Sequence, residues 1–424
     1  MILPEPFTDL LKTQIGTEFA DFEAALQQTP PISIRYNPRK MQVPAGELIP
    51  WCEEGRYLAQ RPVFTLDPLF HSGAYYVQEA SSMLVGRVLP QVANVSKPLR
   101  VLDLCAAPGG KTTLLTSILH PDSLILANEV IKSRVMILKE NVQKWGFSNV
   151  HVSNHDPEDF ERLEAFFDVI LIDAPCSGEG LFRKDPAAVN EWSPGSVQVC
   201  AGRQKRILDA AMPLLRPSGI LIYCTCTYNE IENQESGQWI LNSAQFTEIK
   251  IDIPESWGVV AKPIGYQCYP HRVKGEGFFF SVFEKQAGFE RAQAYDTLPR
   301  RSKEEGFRSC KRLHVKQTPE VSRWLAKPED FHFFVKPNGE VLALMDSQLE
   351  EVRILDNTLS AKGIGLEMGE FKGNDFIPSH ALALSTALSS TIPRLELSEN
   401  EALLFLKKEN LNIEASRGWL LVTH

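Results

Sequence analysis

The chain has 424 residues, 43% hydrophobic and 23% charged, with 44 Lys and Arg against 53 Asp and Glu for a formal charge of −9. The length suggests roughly two to four domains, and the balance is that of a soluble globular protein, which excludes a disordered or collagen-like chain. No apolar run is long enough to cross a bilayer, and so acidic a chain does not coat nucleic acid in bulk, so RNA or DNA would be met by local basic patches.

In chain order, the start, MILPEPFTDLLKTQIGTEF, has neither a basic opening nor a long apolar stretch, which argues against a secretory signal. Helical patterns at Phe7 to Leu11 and Phe19 to Leu26 precede a strand-like Ile32 to Tyr36. Prolines 30, 31, 38, 44, 50, 62 and 68 keep the elements of this region short. From Leu99 strands and helices alternate. Strands are expected at Leu99 to Leu104, Ser123 to Val130, Val150 to Asn154, Phe167 to Asp173 and Ile220 to Thr227. Helices are expected at Lys111 to Leu119, Ile131 to Trp145 and Ser196 to Leu215, the last stopped by Pro217 and Gly219. Phe278 to Phe283 adds an edge strand. This alternation implies a parallel, doubly wound α/β sheet. Beyond residue 288, the run PRRSKEEGFRSCKRLHVK is a basic linker. It leads to short strands at Phe331 to Val335 and Val341 to Met345, glycine turns near Gly363, Gly365 and Gly369, and a last apolar segment, Gly418 to Val422.

The segment Asp103-Leu-Cys-Ala-Ala-Pro-Gly-Gly-Lys-Thr112 follows a strand and opens a helix, the place where an open α/β sheet binds its ligand. A phosphate loop would need glycine where Cys105 stands, and the dinucleotide fingerprint is absent. Glu129 ends the next strand at the spacing of an acid that meets ribose hydroxyls. A ligand with a ribose, a carboxylate and no phosphate fits best, and S-adenosyl-L-methionine is such a ligand. A lone strand-end acid is usually just solvated. Four of them, Asp103, Glu129, Asp156 and Asp173, along one sheet edge describe a cofactor cleft.

Eight cysteines without a CxxC pair make a disulfide framework or a zinc ribbon a poor reading, so no metal is expected and the thiols are read as reduced and cytoplasmic. Cys52, Cys200, Cys268 and Cys310 read as small hydrophobes. Cys176, in Asp173-Ala-Pro-Cys-Ser-Gly178, sits on an exposed turn after one strand. Cys226, in Tyr223-Cys-Thr-Cys-Thr-Tyr228, ends the next. Cys224 lies deeper and keeps the inert reading. A helix starting near Asn229 would turn its positive end toward Cys226. A thiolate beside a methyl donor has a specific use. Addition to carbon 6 of a pyrimidine makes carbon 5 nucleophilic enough to take a methyl group.

DLCAAPGGKT, DAPCSGEG and the TCT of YCTCTY, flanked by YYVQEASSM and PHRVKGEGFFF, resemble the motifs of the Nol/Nop/Sun family of RNA cytosine-5 methyltransferases over residues 70 to 285. The resemblance implies a Rossmann-like class I core at 91–287, after an N-terminal RNA-binding α/β accessory domain at 1–90. A basic linker and intermediate module at 288–345 would follow. GLEMGEFKGNDFIPSHALA is similar to the tail of bacterial members that modify small-subunit ribosomal RNA, implying a β-rich PUA-like RNA-binding module at 346–424. The resemblance makes Cys226 the nucleophile and Cys176 the residue that assists release; the DNA enzymes attack with the other cysteine, which keeps Cys176 as runner-up. It assigns S-adenosyl-L-methionine contacts to Cys105, Ala106, Ala107, Pro108, Gly109, Gly110, Lys111, Glu129, Asp156 and Asp173. The expected product is 5-methylcytosine in RNA, 16S ribosomal RNA first, in a cytoplasmic monomer without membrane or metal. Transfer RNA as substrate, and a non-catalytic ribosome-assembly factor, stand as alternatives. Arg183 and Lys184 are the favoured phosphate contacts. Arg35, Arg39, Lys40, Arg203, Lys205, Arg206 and the run from Arg300 to Lys316 follow.

Overall fold

A computed structural model describes residues 2–287, 306–359, 363–411, 413 and 417–424. Helices α1 (Glu5–Ile15) and α2 (Phe19–Leu26) come first. Pro6 sits in the first turn of α1, and Phe7 and Leu11, one turn apart, form its buried face. That face packs on the far part of the chain: the Phe7 ring lies 5.0 Å from Phe182 and 5.7 Å from Trp192. An antiparallel sheet of β1 (Ile32–Tyr36), β2 (Glu47–Ile49), β3 (Cys52–Leu58) and β4 (Tyr75–Val77) follows in the order β2-β3-β1-β4, with the short helix α3 (Pro68–Ser72) before β4.

Helix α4 (Val85–Val92) crosses the expected boundary at 90/91 and shares one apolar cluster with the first helix of the core. The core alternates β5 (Arg100–Asp103), α5 (Gly110–Ile118), β6 (Leu124–Asn128), α6 (Lys132–Trp145), β7 (Val150–Ser153), β8 (Phe167–Asp173), α7 (Pro186–Glu191), α8 (Pro194–Ala211), β9 (Leu215–Thr225) and α9 (Gln234–Asn242). Strands β10 (Phe246–Glu248), β11 (Val260–Ala261), β12 (Tyr266–Cys268) and β13 (Phe278–Lys285) complete a nine-stranded sheet, ordered β11-β12-β13-β9-β8-β5-β6-β7, with β10 on β13. Strands β5 to β9 pair in parallel, and β13 returns antiparallel to β9. Burial on both faces explains the unbroken apolar runs: Val169 to Ile172 are at most 1% exposed. The strand order reverses at β5, whose neighbours are β6 on one side and β8 on the other. The crevice for a ligand therefore opens at the carboxyl ends of β5, β6 and β8. Strand β9 begins at Leu215, earlier than expected, because Leu215 pairs with Phe167 on the far side of a bulge. Pro217 and Gly219 lie inside the strand, not between helix and strand.

Strands β14 (Lys311–Arg312), β15 (Phe331–Val335), β16 (Glu340–Met345), β17 (Leu366–Lys372) and β18 (Asp375–Pro378) form one antiparallel sheet in chain order. The expected boundary at 345/346 falls inside it, since β16 pairs with β17. Strands β19 (Arg394–Glu396) and β20 (Leu421–Thr423) pair in parallel. The C-terminal sheet docks on the edge strand β7: Val152 N donates to Gly363 O at 3.0 Å. Buried His151 makes a second tie. Its Nδ1 accepts from Gly365 N at 3.1 Å, leaving Nε2 to donate to Gln348 Oε1, also at 3.1 Å.

Burial pulls the His151 pKa down from the ordinary 6.5 to about 4. The unfolded chain takes up a proton that the folded chain refuses. The stability contribution is therefore complete above pH 6.5 and is lost as pH falls toward 4, a loss on the order of 3 kcal/mol. Urea unfolding across that window should show this slope in the wild type and not in His151→Asn. Equal slopes in the two proteins would remove His151 as its source.

Candidate active site

The loop from Leu104 to Gly109 joins β5 to α5, and Gly109 turns the chain at φ +112°, a conformation that favours glycine. A Cβ there would lie 3.3 Å from Leu138 Cδ1. Ala106 N bonds Asn128 O at 2.8 Å, which fastens the loop to β6. Ala106 and Ala107 are buried, Pro108 is exposed, and Cys105 and Gly110 are half-buried. Burial and the acids around it push the Cys105 thiol up, so it stays protonated. Asp103 is fully buried. Its Oδ2 accepts from Thr112 Oγ1 at 2.6 Å, while Oδ1 has no protein partner. Burial raises its pKa to about 7. Glu129 accepts from Ile131 N at 2.9 Å and pairs with Arg134 at 3.1 Å. Arg134 also donates to Ala107 O, so it clasps both walls of the cleft. Lys111 Nζ lies 2.6 Å from Asp173 Oδ2. Asp156 caps the turn after β7 and is held by Arg206 at 2.8 Å.

These groups fit S-adenosyl-L-methionine. The unpartnered Asp103 Oδ1 is an acceptor waiting for a donor such as an ammonium. The free N–H groups opening α5 suit a carboxylate, and the carboxylate of Glu129 would suit ribose hydroxyls.

Cys176 follows β8 on the turn closed by Gly178 at φ +74°, and Cys226 lies one residue past β9. Ala174 N bonds Cys224 O, and Gly180 N bonds Cys226 O at 2.8 Å, so the two loops are laced together. The two sulfurs are 3.1 Å apart, and Cys226 N points at Cys176 Sγ at 3.3 Å. The hydrogen bond to Cys226, followed by burial, holds the Cys176 pKa well above the usual thiol range, so Cys176 keeps its proton. Cys224 is fully buried. No helix begins at Asn229: α9 starts at Gln234, and a turn of hydrogen-bonded polar residues stands in its place.

That turn and the loop after Cys176 hold residues that sequence reasoning missed. Glu179, Asn229 and Glu232 are all fully buried. Glu232 accepts from Ser177 N at 2.9 Å and Gln204 Nε2 at 2.7 Å. Glu179 accepts from Tyr228 N at 2.8 Å, Asn229 N at 3.0 Å and Trp192 Nε1 at 3.0 Å. Asn229 Nδ2 lies 2.8 Å from both carboxylates. Ser177 adjoins Cys176, and Tyr228 lies two past Cys226, so the network sets the spacing of the two sulfurs. Glu179 stands inside DAPCSGEG and was visible there. Asn229 and Glu232 read only as polar residues after a strand.

Two family matches cover most of the chain: 16S rRNA methyltransferase RsmB/F at residues 91–284, and the N-terminal domain of 16S rRNA methyltransferase RsmF at residues 3–80. The ribosomal RNA small subunit methyltransferase F of Shigella boydii is 32% identical over 408 residues, 91% of this chain and 83% of that one. The chain belongs to the RsmB/F family of 16S rRNA methyltransferases. The corresponding Cronobacter sakazakii protein is 37% identical over 311 residues, which span 68% of this chain and 64% of that one. Among solved structures, the crystal structure of PH0851 superposes with a TM-score of 0.61 at 27% identity, over 67% of this chain and 66% of that one. NSun6 from Pyrococcus horikoshii with SFG shares the fold, with a TM-score of 0.56 at 20% identity, over 66% and 98% of the two chains. The nine-stranded sheet is thus the Rossmann-like core of an RsmB/F enzyme, a methyltransferase that uses S-adenosyl-L-methionine.

Several basic residues of this RsmB/F protein are placed differently from expectation. Arg183 is not a phosphate contact: its side chain is 5% exposed and is consumed by Glu276 at 3.0 Å, Gly275 O and Ala25 O. Lys184 is exposed and lies 3.9 Å from Glu276. Arg35 is fully buried. It stacks 4.4 Å from the Trp145 ring and bonds Gln78 and Thr113, where no RNA reaches it. Arg206 is occupied by Asp156 and Glu158, and Lys205 lies over the Trp239 ring. Arg203 is exposed. Arg300, Arg301 and Lys303 lie outside the described residues, while Lys311 and Arg312 form β14. Among the described residues no group of His, Cys, Asp and Glu could hold a metal ion, and no helix is long and apolar enough to cross a membrane.

Proposed function

We propose that this chain methylates carbon 5 of a cytosine in RNA, with 16S ribosomal RNA as substrate, as the names of its relatives suggest. The observation that carries this reading is the pair of sulfurs 3.1 Å apart at the cofactor cleft. Methylation of a ribose hydroxyl or an exocyclic nitrogen needs no thiol; methylation of carbon 5 does. Bound S-adenosyl-L-methionine supplies an electrophilic methyl group. Cys226 Sγ bonds to carbon 6 of the cytosine, and the electron density so released makes carbon 5 a nucleophile. After methyl transfer, a base takes the carbon 5 proton and the Cys226–carbon 6 bond breaks. Cys176, holding its proton within reach of Cys226, donates to the departing sulfur and stabilises it as a thiolate. The target base must leave its stack to reach the thiol, which favours a loop over a duplex. The N-terminal sheet and the C-terminal, PUA-like sheet dock the RNA, and the protein acts in the cytoplasm. The test is to map 5-methylcytosine in 16S ribosomal RNA from cells lacking the gene, then to restore it with purified protein and labelled cofactor. A site that never depends on the protein, or that appears only in transfer RNA, would overturn the reading.

The cleft supports a second expectation. Glu129→Ala should weaken S-adenosyl-L-methionine binding by on the order of 1–3 kcal/mol, the cost of a hydroxyl pair left without its acceptor. The fold should persist, because Glu129 lies one residue past β6, whose buried Leu124 to Ala127 are untouched. Calorimetric titration reads the loss. An unchanged affinity would remove Glu129 from the ribose site.

A further inference from the structure

Two cavities share Lys144 as a wall at the C-terminal end of α6. The smaller, about 320 Å³, is lined by Arg61, Phe70, Tyr76, Asn141 and Lys144. It begins beside the cofactor loop: Asn141 Nδ2 donates to Pro108 O at 2.8 Å, and a Cβ on Gly110 would lie 3.3 Å from the Tyr76 ring. Lys144 also lines the larger cavity, about 730 Å³, whose walls include Arg39, Lys40, His380 and Arg394. The α6 residues in their walls are Glu140, Asn141, Gln143, Lys144 and Trp145, so the track covers the last turns of α6, roughly 8 Å at 1.5 Å per residue. The N-terminal unit, the core and the C-terminal segment each contribute a wall.

The chemistry of this track is unlike that of the chain as a whole. The protein carries a formal charge of −9, yet Arg39, Arg61 and Arg394 are exposed here, and none has a carboxylate partner among the described residues. Glu140, the acid in the wall, is taken by Lys144. Lys40 is held by Ser72 O at 2.7 Å and Lys144 O at 2.5 Å, and burial lowers its pKa to about 7, so the charge of the track rests on the three arginines. The half-buried rings of Phe70 and Tyr76 line the smaller cavity with Arg61, and Lys144 Nζ lies 5.0 Å from the Phe70 centroid. Cations spaced along aromatic faces are what a single strand requires: phosphates meet the charges and unstacked bases meet the rings. We infer that this track binds the single-stranded RNA adjoining the target base, a placement that rests on the RNA methyltransferase reading above. The arginines take the phosphates, and Phe70 and Tyr76 take bases. The strand thereby passes from the C-terminal end of α6 to the cofactor loop, which Asn141 bonds at Pro108 O.

The test uses the full-length protein and the triple variant Arg39→Ala/Arg61→Ala/Arg394→Ala. Fluorescence anisotropy with a labelled, mixed-sequence single-stranded oligoribonucleotide is measured over a salt series. Loss of three phosphate contacts should lower the slope of log affinity against log salt by about 2. KM for 16S ribosomal RNA should rise roughly tenfold or more at low salt, with kcat and cofactor affinity unchanged. Phe70→Leu should weaken the same oligonucleotide without changing the slope. An unaltered slope in the triple variant overturns the track. So does an equal loss on duplex RNA, or a loss seen only with assembled ribosomal subunits, which would make the partner a protein. If the wild type binds the oligonucleotide through these arginines but methylates no RNA, the track stands and the proposed reaction falls.

Discussion

Cys226→Ala abolishes methyl transfer and forms no adduct, whereas Cys176→Ala attacks its RNA and stalls on it. This expectation follows from the order of events and from where the proton sits. Without the Cys226 sulfur nothing bonds to carbon 6, and turnover should fall by roughly a thousandfold or more. Without Cys176, addition and methyl transfer remain possible, but the departing sulfur loses its donor at 3.1 Å. The complex then persists as a covalent RNA–protein species, visible as a slow band on a denaturing gel. The double variant should match Cys226→Ala, because a release step is irrelevant without attack. If the band appeared with Cys226→Ala and vanished with Cys176→Ala, the roles would be exchanged.

What the sequence made legible depended on how locally each feature is encoded. The parallel core was readable because the stretch of a strand buried on both faces must be apolar, and Val169 to Ile172 of β8 are. The glycine loop was readable because the turn from β5 into α5 is made by small residues close in sequence. Strand β9 was misjudged at its start, because Pro217 and Gly219 are punctuation in isolation and become a bulge only when β8 pairs beside them. The strands β2 to β4 were invisible among the prolines. Arg183 was misread for a similar reason: it follows the Cys176 turn, but its partner Glu276 comes from a distant segment. A cation's availability is decided by tertiary neighbours, which a linear pattern does not carry. The same holds for Glu179, Asn229 and Glu232, polar residues that become meaningful only once two loops close on each other.

That closure makes Asn229→Ala the most damaging substitution expected outside the cysteines. The Asn229 amide stands between two buried carboxylates, 2.8 Å from each, and its Oδ1 accepts from Glu232 N at 2.9 Å. Among the described residues neither Glu179 nor Glu232 has a cationic partner, so both rely on neutral donors, and the shared amide screens one charge from the other. Removing it leaves two like charges facing each other in a water-poor interior. The cost should be on the order of 3 kcal/mol or more, above that of an ordinary hydrogen bond. The pH dependence identifies the cause. Burial already raises the Glu232 pKa, and hydrogen bonds, including the one from Asn229, oppose the rise. Without that amide the folded-state value climbs further above the unfolded one. A group raised in the folded state takes up its proton there first, so lowering the pH relieves the strain. The gap in unfolding free energy between wild type and Asn229→Ala should therefore be widest near neutral pH and should narrow toward pH about 5. A second arm separates charge from packing: Glu232→Leu combined with Asn229→Ala should cost less than the sum of the two single changes, since the charge stranded by the second is absent. A gap that is flat with pH, together with strictly additive costs, would reduce Asn229 to a packing residue. In that case the spacing of Cys176 and Cys226 would have to be set by the backbone bonds between their loops alone.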